Sequence, residues 1–147
     1  MNDFQEFMSQ SADETKIIAS NMAKDIKINS VIALYGDIGT GKTTFTQGFA
    51  LGLGVNEHVT SPTFKLVSEY SGDSKKLYHV DCYRMKRSTD FLNIGGELFL
   101  NPCDGITIIE WANVIDDLLL SDTISVQFKR NFEKPEKRIL KIKGWNS

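Results

Sequence analysis

The stretch Gly36-Asp-Ile-Gly-Thr-Gly-Lys-Thr43 combines residue types that together can hold a phosphate. Gly36, Gly39 and Gly41 permit positive φ and leave no Cβ in the way, so consecutive N–H groups can converge on an anion. Lys42 can reach the β- and γ-phosphates of a nucleotide, and the Thr43 hydroxyl can ligate Mg²⁺. A chance match to this spacing in a chain of 147 residues has a probability of roughly half a percent at average glycine usage.

Two carboxylates fit the same chemistry. Leu77-Tyr-His-Val80 runs into Asp81, and Gly105-Ile-Thr-Ile-Ile runs into Glu110. An apolar strand closed by a carboxylate presents an Mg²⁺ ligand, or a group that positions water, at the end of a sheet. Taken singly, each is also compatible with a surface carboxylate at a loop start. Val59-Thr-Ser-Pro-Thr-Phe64 is rich in hydroxyls and broken by Pro62, which suits a loop closing over a γ-phosphate and equally a plain Ser-Pro turn. His79 has no second imidazole at metal-motif spacing and reads as a packed or solvated strand residue; His58 carries no signal.

The elements that must position these groups are legible around them. Val31-Ile-Ala-Leu-Tyr35 is a buried strand leading into the glycine loop, and a helix begins at the loop's end, bringing its unpaired N–H groups and positive dipole. That helix carries Phe45 and Phe49 and stops at Leu51-Gly-Leu-Gly54, with Gly54 as C′. Upstream, Ser11-Ala-Asp-Glu14 has capping-box spacing, and Ile18, Ala19, Met22, Ala23 and Ile26 predict an amphipathic helix over 12–26. A strand through Leu66, Ser68 and Tyr70 turns at 71–76 into the strand ending at Asp81. Residues 88–99 predict a short helix, a Gly95-Gly96 break and another helical turn. Trp111, Val114, Ile115, Leu118 and Leu119 mark one helical face, and 124–128 and 140–142 alternate as a closing antiparallel hairpin, with Arg138 at the entry of its last strand. The expected fold is α/β, a three-layer P-loop sandwich on a mixed, centrally parallel sheet, in one domain over 1–147.

Composition narrows the function classes. A chain that is 41% hydrophobic and 24% charged buries one core. Net charge −2 gives no global pull toward nucleic acid, so contact with RNA is expected through a partner. The N-terminal residues show no cationic leader followed by an apolar run, and no stretch has the length of a membrane span, so a cytoplasmic protein without membrane attachment is expected. Cys82 and Cys103 lack zinc or redox spacing and read as ordinary thiols.

The chain resembles the TsaE (YjeE/YdiB) family of small P-loop ATPases of bacterial tRNA threonylcarbamoyladenosine (t6A) biosynthesis. The resemblance is carried by Ser11-x-x-Glu-Thr15, Gly-Asp-Ile-Gly-Thr-Gly-Lys-Thr-Thr44, Thr-Ser-Pro-Thr-Phe64, Leu-Tyr-His-Val-Asp-Cys-Tyr-Arg84 and Ile-Glu-Trp111, in that order. It implies that Gly36, Asp37, Ile38, Gly39, Thr40, Gly41, Lys42, Thr43 and Thr44 hold ATP or ADP. It implies further that Ser61 to Phe64, Ser61 and Thr63 included, form a switch-like loop, and that Thr43, Asp81 and Glu110 serve Mg²⁺. Lys42, Asp81 and Glu110 would then carry hydrolysis, Trp111 would lie beside the nucleotide, and Thr15 and Arg138 would approach it from the edges. The implied partners are the TsaD and TsaB proteins, with tRNA met through their complex. Thr40 stands where the family usually has Ala, and Ala112 where Pro often follows; neither removes a ligand. The rival readings are a small-molecule kinase, which needs an acceptor pocket and an Arg-rich lid that is not found after Glu110, and a non-enzymatic nucleotide-dependent adaptor, which needs no carboxylates.

Overall fold

The structure is a computed structural model describing residues 4–37, 39–62 and 65–145. Its centre is the apolar strand β2 (Val31–Tyr35), paired in parallel on one side with β5 (Gly105–Glu110) and on the other with β6 (Ile124–Arg130). Every residue of β5 is buried, as a parallel strand covered on both faces requires. β4 (Lys76–Asp81) lies parallel to β5, and β3 (Val67–Ser71) closes that edge as the antiparallel partner of β4. On the opposite side β7 (Arg138–Lys143) returns antiparallel to β6 and receives β1 (Phe4–Ser9), giving the order β1-β7-β6-β2-β5-β4-β3. The mixed, centrally parallel sheet and its closing hairpin are as predicted. β1 was not predicted; it is an edge strand whose Phe4 and Met8 stay exposed.

Helices α1 (Ala12–Asp25) and α2 (Lys42–Gly52) pack together on one face, over a core including Met22, Phe45, Phe49, Ile32, Leu34 and Ile108. α1 is capped as its sequence demands: Ser11 Oγ accepts from Glu14 N at 3.1 Å, while the Glu14 carboxylate takes Gln10 N at 2.6 Å. Close approach of α1 and α2 depends on Gly48, where a Cβ would meet the Lys16 backbone at 2.4 Å. α2 ends with Leu53 as cap and Gly54 at φ 84°, the expected C′ glycine. The other face is covered by α3 (Ser88–Asn93) and two 3-10 segments, Gly96–Leu100 and Ala112–Leu118. The last of these replaces the ordinary helix expected after Trp111. Trp111 is left-handed at φ 56°, and the tighter segment starting there buries Ala112 and Ile115.

Candidate nucleotide site

The parallel register determines what meets what. Leu34 pairs with Glu110, and Glu110 with Asp81, so the ends of β2, β5 and β4 lie side by side at the carboxyl edge of the sheet. The loop leaving β2 turns back over that edge and becomes α2. Its turn needs glycine for two distinct reasons. At Gly36 (φ 147°) a Cβ would sit 2.9 Å from Thr40 Oγ1 and 3.1 Å from the Phe128 backbone oxygen. Gly41 has open space around it, but φ 104° is a conformation that side chains resist.

A cavity of about 750 Å³, within the range of small-ligand sites, opens beside this loop. Of the sequence-predicted residues, Thr15, Gly39, Gly41, Lys42, Thr43, Thr44, Ser61, Asp81, Glu110, Trp111 and Arg138 line it. Gly36, Asp37 and Thr40 do not; they shape the loop behind it, with Thr40 Oγ1 donating to the Asp37 carbonyl at 2.6 Å. Ile38, Thr63 and Phe64 lie outside the described residues.

Lys42 is folded back onto its own loop. Its Nζ donates to the carbonyls of Gly36 and Asp37, the latter at 2.9 Å, and stands 4.3 Å from the centroid of the Trp111 ring. Burial pushes the ammonium below the ordinary lysine range, and the charges of Glu110, Asp37 and Asp81 oppose that push in part.

Opposite the lysine, Thr43 Oγ1 donates toward Glu110, 3.3 Å from Oε1 and 3.5 Å from Oε2. Asp81 accepts from Ser61 Oγ at 3.0 Å and from Tyr83 N at 2.9 Å, which ties the hydroxyl-rich segment to the end of β4. Hard oxygen donors of this kind suit Mg²⁺, which takes one or two carboxylates and leaves its other positions to water and phosphate. No cluster of three or more His, Cys, Asp or Glu residues able to hold a metal occurs among the described residues.

At the rim, Arg138 Nη2 donates to the Gly39 carbonyl at 3.0 Å, so β7 braces the loop from outside. Thr15 is buried with its hydroxyl 2.6 Å from Ser9 Oγ, which in turn donates to the Ser11 carbonyl.

Two contributors escaped the sequence reading. Tyr83 lines the cavity and packs on Trp111 with ring centroids 5.0 Å apart. His79 is packed, as expected of a strand residue, yet its Nε2 is hydrogen-bonded to Glu110 Oε2. The period of two along a strand puts His79 and Asp81 on one face of β4, but only the parallel register of β4 with β5 brings that face beside Glu110.

The comparisons with known proteins bear on the family and the fold. Residues 9–139 match the family model described as "Threonylcarbamoyl adenosine biosynthesis protein TsaE". The chain is 42% identical over 118 residues to the tRNA threonylcarbamoyladenosine biosynthesis protein TsaE of Bacillus subtilis, covering 80% of this chain and 73% of that protein. It is 35% identical over 122 residues to the TsaE protein of Treponema pallidum, covering 83% and 89%. Its structure is similar to the crystal structure of YdiB from Bacillus subtilis, with a TM-score of 0.82 and 33% identity over 97% of this chain and 86% of the other. A P-loop architecture, a cavity built on its glycine loop and a family match across most of the length converge, and the chain belongs to the TsaE family.

Proposed function

We propose that this protein binds ATP with Mg²⁺ in the cavity beside the glycine loop and hydrolyses it to ADP and phosphate, as a component of the t6A machinery acting with the TsaD–TsaB complex in the cytoplasm. The observation that carries this reading is the convergence of Lys42, Thr43, Asp81 and Glu110 on one cavity at the N-terminus of α2. The family's printed role supplies the pathway.

The loop N–H groups and the first turn of α2 receive the phosphates, because both present unpaired donors and positive potential. Lys42 exchanges its carbonyl partners for phosphate oxygens and so brings a full charge to them. Thr43, Glu110 and Asp81 would hold Mg²⁺, which supplies charge neutralisation on the phosphate oxygens. Glu110 and Asp81 also orient the attacking water, and one of the two carboxylates accepts its proton as it attacks the γ-phosphorus and ADP leaves. Ser61 brings its segment to the site by donating to Asp81, and holding residues 60–62 closed over the phosphates costs roughly 1 to 2 kcal/mol per residue fixed. Hydrolysis by the isolated chain is therefore slow, and a partner that packs on this segment accelerates it. tRNA is met through the complex.

The test is steady-state phosphate release with and without TsaD–TsaB, beside a pull-down with and without ATP. Stimulated release and nucleotide-dependent capture are expected. Fast release that the complex leaves unchanged contradicts the partnership, and ATP-dependent phosphorylation of a small acceptor would replace hydrolysis with a kinase reaction.

A further inference from the structure

His79 occupies a position on β4 where an aliphatic residue would pack without penalty. Leu77, two residues before it on the same face, is fully buried, and so is Ile108, its register partner on β5. The imidazole is itself 0% exposed, and its Nδ1 has no hydrogen-bond partner among the described residues. A buried nitrogen left unpaired makes the residue a poor choice for packing alone. Among the described residues its one hydrogen bond runs from Nε2 to Glu110 Oε2, and because a carboxylate accepts, Nε2 carries the proton.

This bond makes the two oxygens of Glu110 unequal. Oε2 is engaged by both His79 and, at 3.5 Å, Thr43 Oγ1, whereas Oε1 meets Thr43 Oγ1 at 3.3 Å and has no bond to the imidazole. Without the imidazole the carboxylate could rotate about its terminal torsion, which is broad and roughly two-fold. Partners that sit behind a ligating side chain commonly set its orientation in this way.

We propose that His79 is a positioning residue for Glu110: by holding one carboxylate oxygen from within the sheet, it fixes the other beside Thr43 as a ligand for a divalent cation. The inference rests on the Mg²⁺-nucleotide reading of the cavity and adds to it a residue that touches neither metal nor nucleotide.

The experiment titrates Mg²⁺, and separately Mn²⁺ followed by its paramagnetic signal, into the full chain saturated with ADP. The parent is compared with His79→Leu, His79→Phe and His79→Gln. Leu and Phe keep an apolar filling of the site without the donor; Gln restores an N–H. In the Leu and Phe variants the half-saturating cation concentration should rise by about 10- to 100-fold, the usual effect of losing such a partner, while ADP affinity without metal changes by less than about two-fold. Gln should recover most of the loss. Parent cation dependence in the Leu or Phe variant overturns the inference, and so does a Gln variant as impaired as the other two. If either apolar variant does not fold, the other and Gln carry the comparison. A parent whose ADP binding shows no cation dependence overturns the metal reading itself, an outcome separate from failure of the variants alone.

Discussion

The ammonium of Lys42 stands over the ring of Trp111, 4.3 Å from its centroid, and Trp111 holds it there from a left-handed backbone at φ 56°. A non-glycine residue in that region is uncommon and clusters at functional sites. Phosphates entering the loop would be expected to draw Lys42 off the ring, so the indole should report binding. Trp111→Phe should abolish the change in tryptophan fluorescence on adding ADP, and Trp145→Phe, on the far residue packed against Phe7, should preserve it. A response that instead follows Trp145 would dissociate the lysine from the nucleotide.

Lys42→Ala and Thr43→Ala should weaken Mg-ATP binding while the fold survives. Hydrogen bonds to charged groups are worth about 1.5 to 3 kcal/mol, so a loss of roughly 10- to 100-fold is expected for Lys42→Ala. Calorimetric titration measures it, and undiminished affinity in both variants removes the basis for a phosphate site.

The pH dependence follows from the burial of Lys42. Its pKa is lowered from 10.5, foremost by desolvation, and on the proposed reading the protonated form is the one that would bind phosphate. Nucleotide affinity should therefore decline with rising pH before the ordinary lysine range is reached. In Lys42→Ala the same alkaline decline should be absent, which a comparison of ADP affinity over about pH 7 to 10 decides.

Glu110→Gln and Asp81→Asn should lose hydrolysis more than binding. The phosphate loop stays intact, while proton acceptance and water positioning, worth about 10²- to 10⁴-fold, are removed. Either variant turning over at the parent rate in the presence of partners would make that carboxylate structural.

Gly48→Ala pits two effects against each other. Alanine gains roughly 1 kcal/mol of helix propensity, but its Cβ meets the Lys16 backbone at 2.4 Å, where no flexible side chain can yield. Overpacking costs typically 1 to 3 kcal/mol, and backbone contact lies at the high end. A lower thermal midpoint is expected, by several degrees for a chain of this size. A midpoint at or above the parent's would show that α1 and α2 can slide apart without cost.

What could be read without the fold was local. The capping serine of α1, the glycines that break and turn the chain, and the apolar runs of β2 and β5 each state their structure within a few neighbouring residues, because caps, positive φ and burial on both faces have direct residue preferences. Lys42, Thr43, Asp81 and Glu110 were likewise visible as a loop and two strand ends. Their meeting was implied by the family resemblance and not by any spacing: Asp81 and Glu110 become neighbours through the parallel register of β4 and β5. β1 carries little signal of its own, since an edge strand draws its pairing from β7 and leaves Phe4 and Met8 in solvent. The segment after Trp111 has helical periodicity, yet after the left-handed Trp111 the chain forms two short 3-10 turns separated by a kink at Ile115. His79 lies 31 positions from Glu110, and no spacing rule joins them. Strand pairing does, because register fixes which side chains two strands offer to the same face, and it is settled by the packing of the whole sheet rather than by either strand alone.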